Sequence, residues 1–476
     1  MAVPDDTPTA APPAPPPTPP ASDEGAIERL RAAAVRGGLF TLFGYGASQV
    51  LRLASNLILT RLLAPEHFGL MALVNSCMTA LQMFSDLGVR VSIVQDREGD
   101  APRFLNTAWT LNTIRGTVLW LVACALAWPV ARFYEQPDLL ALIPVVSLQA
   151  LIMGFHSTNW AALSRHMALG RLTAIDLGVQ LVSLATMCGW AYFISRSVWA
   201  LVVGSLVNAV LRVFLSHTLL PGVRNWFLWD REVAGKLIRF GRWITISTIL
   251  TYVADKSDRL ILGAVMTISM LGVYNIAAFM AQAVIEGLSA ISQRILFPLY
   301  ARLSEVEQGP ALSRRIFRAR ALLHLLTLPP LAFLIACPDL VLELLYDDRF
   351  HGGAWVLRTL AAGAVVSAIS LTSSPVLLAR GDSFRHMAVL ASRTVALIAG
   401  LAWVSWTAPG RELAARLGME QPQVLVVALN PLLGYPVLSW ATRRYGVWMP
   451  GLDLLSVLSA AALTAFCLLL RSLVGL

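Results

Sequence analysis

The sequence predicts an all-α, polytopic membrane protein with about thirteen (twelve to fourteen) transmembrane helices, in two parallel six-helix lobes around a central cavity. Three observations lead there. Apolar runs of about 20 residues, long enough to span a bilayer as helix, recur along almost the whole chain. That chain has 476 residues and is 57% hydrophobic, with a mean hydropathy of +0.66. Its basic residues are segregated between alternate connections. Its second half also repeats features of the first at a fixed offset.

The first 35 residues stand apart from that core. The run Ala11-Pro-Pro-Ala-Pro-Pro-Pro-Thr-Pro-Pro20 reads as a disordered, proline-rich cytoplasmic tail. It lacks the basic start and apolar core of a signal peptide. Residues 26–36 suit a short amphipathic helix at the inner surface. Apolar segments then fall at 38–63, 68–87, 113–134, 139–162, 172–195 and 199–220, an N-lobe over 36–220. Residues 221–240 read as the inter-lobe linker, where Trp226, Phe227 and Trp229 beside Arg224 and Arg231 suit a helix lying in the interface. Segments at 241–265, 271–292, 319–337, 354–378, 386–407 and 423–441 make a C-lobe over 241–441. The last, 452–474, is an additional helix within 442–476.

The net charge of +9 excludes less than it seems to. Of 37 Lys and Arg, 24 fall in the N-terminal tail and the connections expected inside, seven fall outside and six lie within segments. That asymmetry puts the N-terminus in the cytoplasm, explains the basic balance without nucleic acid, and with thirteen spans leaves the C-terminus outside. The five cysteines are far apart and read as packing residues. There is no P-loop, no HExxH and no paired-cysteine motif, and the seven histidines lack ligand spacing. The expectation is a protein that is not an enzyme and needs neither metal nor cofactor.

The repeat appears on shifting the chain by 203 residues. Gly38 falls on Gly241, Leu57-Ile-Leu59 on Leu260-Ile-Leu262, and Gly69 on Gly272. The offset spans six helices, so the halves are parallel repeats, an arrangement of transporters with the path between the halves. Within the second half, Tyr252-Val-Ala-Asp-Lys-Ser-Asp-Arg259 puts four charges inside an apolar segment. Charge at membrane depth is expensive and marks function. At about 100° per residue, Thr248, Tyr252, Asp258 and Arg259 fall within about 60° of Asp255, and Lys256 within about 100°. The repeat-related helix carries Arg52 at the position of Asp255, with Gln49 and Asn56 on the same side. Two matching polar faces imply two walls of one cavity. Arg52, Gln49, Asn56, Lys256 and Arg259 are the candidate substrate-binding groups. Asp255, Asp258 and Glu286 are the candidates for charge pairing or ion coupling, with Arg52 facing Asp255 and Asp255 pairing Arg259 at i, i+4. Two other readings stay open: an exposed loop at 255–259, and charge pairs that are purely structural.

Several stretches resemble the oligosaccharide flippases. Arg61-Leu-Leu-Ala-Pro-Glu-His-Phe-Gly69 resembles their "LLxPexfG" connection. Asp86-Leu-Gly88 with Val91-Ser-Ile-Val-Gln95 is similar to "DLG…alvq". Asp258-Arg-Leu-Ile-Leu-Gly263 with Leu271-Gly-Val-Tyr-Asn275 is similar to "DrliiG…lGxYn". Together they point to the polysaccharide branch of the multidrug/oligosaccharidyl-lipid/polysaccharide exporter superfamily. The resemblance implies alternating access between two lobes in a bacterial inner membrane. It also implies an undecaprenyl-pyrophosphate-linked oligosaccharide as substrate, moved for surface polysaccharide assembly, with a polymerase and glycosyltransferases as further partners. The alternative is a multidrug or other small-molecule exporter of the same fold.

Overall fold

Among the described residues of the computed structural model every regular element is a helix. Those residues are 44, 46–96, 98–165, 169–292, 296, 300, 310–380, 382–416, 421–445 and 448–474. The tail and the stretch 26–36 lie outside them.

The first half holds α1 (46–62), α2 (Pro65–Phe84), α3 (Val89–Gln95), α4 (Pro102–Phe133), α5 (Leu139–Gly154), α6 (Asn159–Arg165), α7 (Leu169–Phe193) and α8 (Trp199–Thr218). The second holds α9 (Arg231–Val265), α10 (Ile268–Ile291), α11 (Pro310–Ala336), α12 (Pro338–Leu345), α13 (Ala354–Ser373), α14 (Pro375–Ala379), α15 (Ser383–Trp406), α16 (Ala408–Arg416), α17 (Pro422–Arg443) and α18 (Pro450–Val474). Among the described residues nine helices are long and apolar enough to cross a membrane alone. The bent pairs α2–α3 (45°) and α5–α6 (62°) raise that to eleven. We propose that α1 and the charge-bearing α9 also span, which would make thirteen. The apolar exposure is what lipid allows: Val50 is 70% and Phe193 83% exposed.

The bend after α2 is made by Gly88, at φ +58°, whose N–H donates to Asp86 Oδ1 at 2.9 Å. The linker differs from its expected form. Residues 221–230 carry no helix, because α4 offers side-chain oxygens to their N–H groups. Trp226 N donates to Asn106 Oδ1 at 3.2 Å, and Leu228 N to Thr110 Oγ1 at 3.0 Å. Helix begins only at Arg231, where Asp230 accepts from the N–H groups of Glu232 and Val233. From there α9 runs 35 residues without a break, straight through the charge cluster. The loop reading of 255–259 is therefore set aside.

α18 packs on α11 and α13. Arg320 of α11, 0% exposed, meets Asp453 of α18 at 2.6 Å, and Tyr435 Oη donates to the other carboxylate oxygen at 2.8 Å. His324 contacts Ser456 Oγ at 2.6 Å beside them. A buried ion pair with its oxygens satisfied fixes partner and register more than it adds stability.

The two halves cross at the start of α2 and α10. A Cβ on Gly69 would stand 2.0 Å from the Ile268 carbonyl oxygen, and one on Gly272 would stand 1.9 Å from that of Pro65. Positions 69 and 272 are 203 apart, and so are 65 and 268. The contact is therefore its own two-fold image, at the offset read from the sequence. From the middle of α2 to its other end, three hydroxyls of α9 hold it. Thr245 Oγ1 donates to Asp86 O at 2.7 Å, Thr248 Oγ1 to Met83 O at 2.8 Å, and Tyr252 Oη to Ser76 O at 2.7 Å.

Candidate functional site

Between these two contacts lies a cavity of about 610 Å³, walled by α1, α2, α5, α7 and α8 on one side and by α9 and α10 on the other. That volume is in the range of ligand sites. The repeat is visible in its walls. Asn56 and Arg259 are equivalent positions, as are Ala72 and Asn275, Ser76 and Phe279, and Thr79 and Gln282; all eight line it.

On α1 the residues Gln49, Arg52 and Asn56 share one face, by i, i+3, i+7 spacing. On α10 the same logic aligns Asn275, Phe279, Gln282 and Glu286. The two faces meet at Arg52. Its Nη1 lies 3.4 Å from Glu286 Oε2 and 3.2 Å from Gln49 Oε1, and Gln49 Nε2 donates to the same Glu286 oxygen at 3.1 Å. The guanidinium also stands 5.5 Å from the Phe279 ring centre. Arg52 and Glu286 keep 45% and 43% of their side-chain surface exposed, so their attraction is screened and adds little to stability.

Arg259 lines the same cavity from the opposite lobe. It makes no hydrogen bond or ion pair with any described residue, and its Nε is buried without a partner.

Of the predicted groups, the structure thus brings Arg52, Asn56, Arg259 and Glu286 to one cavity and ties Gln49 to them. Among the described residues Arg52 is paired with Glu286 of α10. The side chains of Asp255 and Lys256 lie outside the described residues, although both positions are helical. Asp258 is turned away from the cavity. One turn of helix separates residues by 3.6, so adjacent Asp258 and Arg259 point about 100° apart. Asp258 is buried, accepts from Tyr274 Oη at 2.7 Å, and lines a second cavity of about 350 Å³ inside the second half with Arg393 and Asn430. Glu286 lines both cavities.

Gln180, Asn208, Asn275 and Gln282, absent from the candidates named from the sequence, also line the central cavity. For Asn275 and Gln282 the signal was available in their spacing to Glu286 along α10. Gln180 also accepts from Ser48 at 2.9 Å and so joins α7 to α1.

The fold is that of a two-lobed membrane transporter. It matches the lipid II flippase MurJ in an inward closed conformation with a TM-score of 0.68, over 90% of this chain and 91% of that one, at 9% identity. It matches the inward-facing form of a multidrug resistance MATE family transporter of the MOP superfamily at 0.61, over 84% and 95%, with 14% identity. Within that class, residues 58–354 match the family model described as polysaccharide biosynthesis protein, and the chain belongs to that family. The lipopolysaccharide biosynthesis protein WzxC of Escherichia coli (strain K12) is 22% identical over 405 residues, 83% of this chain and 80% of that protein. The resemblance to oligosaccharide flippases drawn from the motifs is borne out.

Proposed function

We propose that this protein flips a lipid-linked oligosaccharide, carried on undecaprenyl pyrophosphate, across a bacterial inner membrane during surface polysaccharide biosynthesis. The observation that carries the reading is the convergence of Arg52 and Arg259, one from each half, on a single cavity between the halves. A pyrophosphate needs cations, and forked guanidinium groups suit its oxygens. The amide-rich remainder of the wall suits sugar hydroxyls.

In this reading Glu286 holds Arg52 while the cavity is empty of anion. A bound pyrophosphate competes for Arg52 and releases Glu286 toward the second cavity, where it is free to take a proton or a cation. An apolar groove of about 620 Å³ adjoins the cluster, lined by Val50, Leu53, Phe333 and Leu344 among others and sharing Phe279 with the cavity. It is suited to the polyprenyl chain while the headgroup crosses through the polar interior. The lobes are taken as 36–220 and 241–441, joined by 221–240, with 442–476 an additional helix. The N-terminus is taken as cytoplasmic, and a polymerase and glycosyltransferases as partners. Asp255 and Lys256 belong to the same wall in this reading, with Asp258 as an ion-coupling group.

A multidrug exporter of the same fold is the rival. The mixed-charge wall with two arginines favours an anionic headgroup over a cationic drug. The test is complementation of a flippase-null strain with Arg52→Ala/Arg259→Ala. The expected result is loss of surface polymer at normal protein level. Wild-type polymer from the double variant would sink the assignment, and a drug-sensitivity phenotype with polymer intact would favour the rival.

A further inference from the structure

A second polar cavity, of about 360 Å³, lies wholly within the first half, at the end where α2 stops. It is formed by the end of α2, α3, the start of α4, the bend between α5 and α6, and the end of α8. Nothing in the transport reading uses it. Arg90, Arg115, Arg212 and His156 all line it.

The state of these four groups points to an anionic ligand. Arg90 is exposed and makes no hydrogen bond or ion pair among the described residues. Nε of Arg212 and Nε2 of His156 are buried atoms without a hydrogen-bond partner among the described residues. Arg212 turns its Nη2 to Asp176 at 2.5 Å, and its guanidinium lies 5.9 Å from the Trp160 ring centre. His156 sits edge-on to the same ring at 5.2 Å. Arg115 gives Nη2 to Gln82 O at 2.7 Å and Nε to Ser85 Oγ at 3.1 Å. The nearby carboxylates are Asp176 and Asp86. Asp176 is occupied by Arg212, and Asp86 accepts the Gly88 N–H. Three guanidiniums against two carboxylates leave a net positive pocket. Buried polar atoms are almost always paired, so the orphaned Nε–H of Arg212, beside the unpaired His156 ring nitrogen, asks for an acceptor.

We infer that this cavity binds a phosphate-bearing anion. Phosphate or diphosphate oxygens accept from Nε of Arg212, Arg90 closes over them from α3, and the His156 ring faces them from the bend between α5 and α6. Trp160 forms an apolar wall that keeps water from the pair. The site has a route to the transport cycle. Arg115 holds the α2 end through Gln82 and Ser85, while Thr245 and Thr248 of the other half hold the Asp86 and Met83 carbonyls of the same turn. An anion that draws on Arg115 therefore acts on the turn where the halves touch.

The test uses the full chain purified in neutral detergent, with sodium pyrophosphate and phosphatidylglycerol as separate probes. Binding is read by native mass spectrometry and by thermal midpoint. At least one probe is expected to bind saturably, and affinity is expected to fall by about tenfold or more in Arg90→Ala and in Arg90→Ala/His156→Gln, since each hydrogen bond to a charged group is worth that much. Saturation by pyrophosphate alone, or by both, marks a soluble phosphate site. Saturation by the lipid only marks a headgroup site. Arg90 is exposed and unpaired among the described residues, so its single variant folds whatever the double does. The inference is overturned if neither probe saturates. It is equally overturned if affinity is unchanged in the Arg90 variants and lost in Arg52→Ala/Arg259→Ala, which would return the anion to the central cavity.

Discussion

Helix α2 touches the opposite half at both ends, and the two contacts are built differently. Its start lies backbone against backbone on α10, with Gly69 and Gly272 at the crossing. Its end is held by hydroxyls of α9, which reach the Met83 and Asp86 carbonyls. A helix leaves its last carbonyls unsatisfied, so α9 caps α2 across the lobe boundary. The first contact is steric and admits no side chain. The second is a set of separable hydrogen bonds, each worth about 1 kcal/mol net. The second is therefore the contact that a ligand of modest differential affinity can open.

That contrast can be broken at either end. The largest effect is expected at the crossing. Gly69→Leu or Gly272→Leu inserts a side chain where even a Cβ meets backbone oxygen, and complementation of a flippase-null strain should fall to background. Gly178→Ala, with open space around its Cβ, serves as the control and should retain wild-type output. At the other end, Thr245→Val/Thr248→Val removes two inter-lobe hydrogen bonds, about 2 kcal/mol together. Cysteine-labelling of cavity positions from that side should rise while protein level holds. Tyr252→Phe removes one such bond, about 1 kcal/mol, and should shift labelling several-fold less. If the double threonine variant labels as wild type does, the hydroxyl contact at the end of α2 is not a gate.

The smallest effect tests the frame outside the membrane. The Tyr445 hydroxyl, and after it the Arg385 N–H, hold the Asp382 carboxyl down at about 2. Its folded value is depressed, so its contribution is complete above the ordinary carboxylate range near 4 and is lost as pH falls through about 2. Asp382→Asn should flatten the pH dependence of thermal midpoint between those values and leave neutral-pH transport close to wild type.

The architecture was legible because apolar runs and basic asymmetry are properties of single segments. The offset of 203 was legible too, from Gly69 and Gly272, and the crossing gives that pair its physical reason: both must lack a side chain at one pseudo-two-fold contact. The cavity was legible in part. Helical periodicity aligned Arg52 with Asn56 and found Arg259, but it cannot say which helix of the other half faces them. That is set by how the lobes dock, and so Glu286 of α10 became the partner of Arg52. A wheel drawn on Asp255 also placed Asp258 and Arg259 on one broad face, whereas the lobe boundary runs between them. The linker misled for a different reason. Its aromatic and basic residues do suit an interfacial helix, but Asn106 and Thr110 of α4 capture the N–H groups that a helix would need. Arg320 and His324, one turn apart, face Asp453 and Ser456, and here the signal was a pair of matching polar spacings on two distant helices.

The central claim is that Arg52 and Arg259 carry the headgroup between the halves. The most direct measurement is a headgroup-accessibility assay in proteoliposomes loaded with a defined polyprenyl-pyrophosphate-linked oligosaccharide. Wild-type protein and Arg52→Ala/Arg259→Ala are compared at equal reconstituted amount. The account predicts protein-dependent exposure of the headgroup on the far leaflet with wild type, and a rate at the level of empty liposomes with the double variant. Equal rates from the two proteins would contradict it.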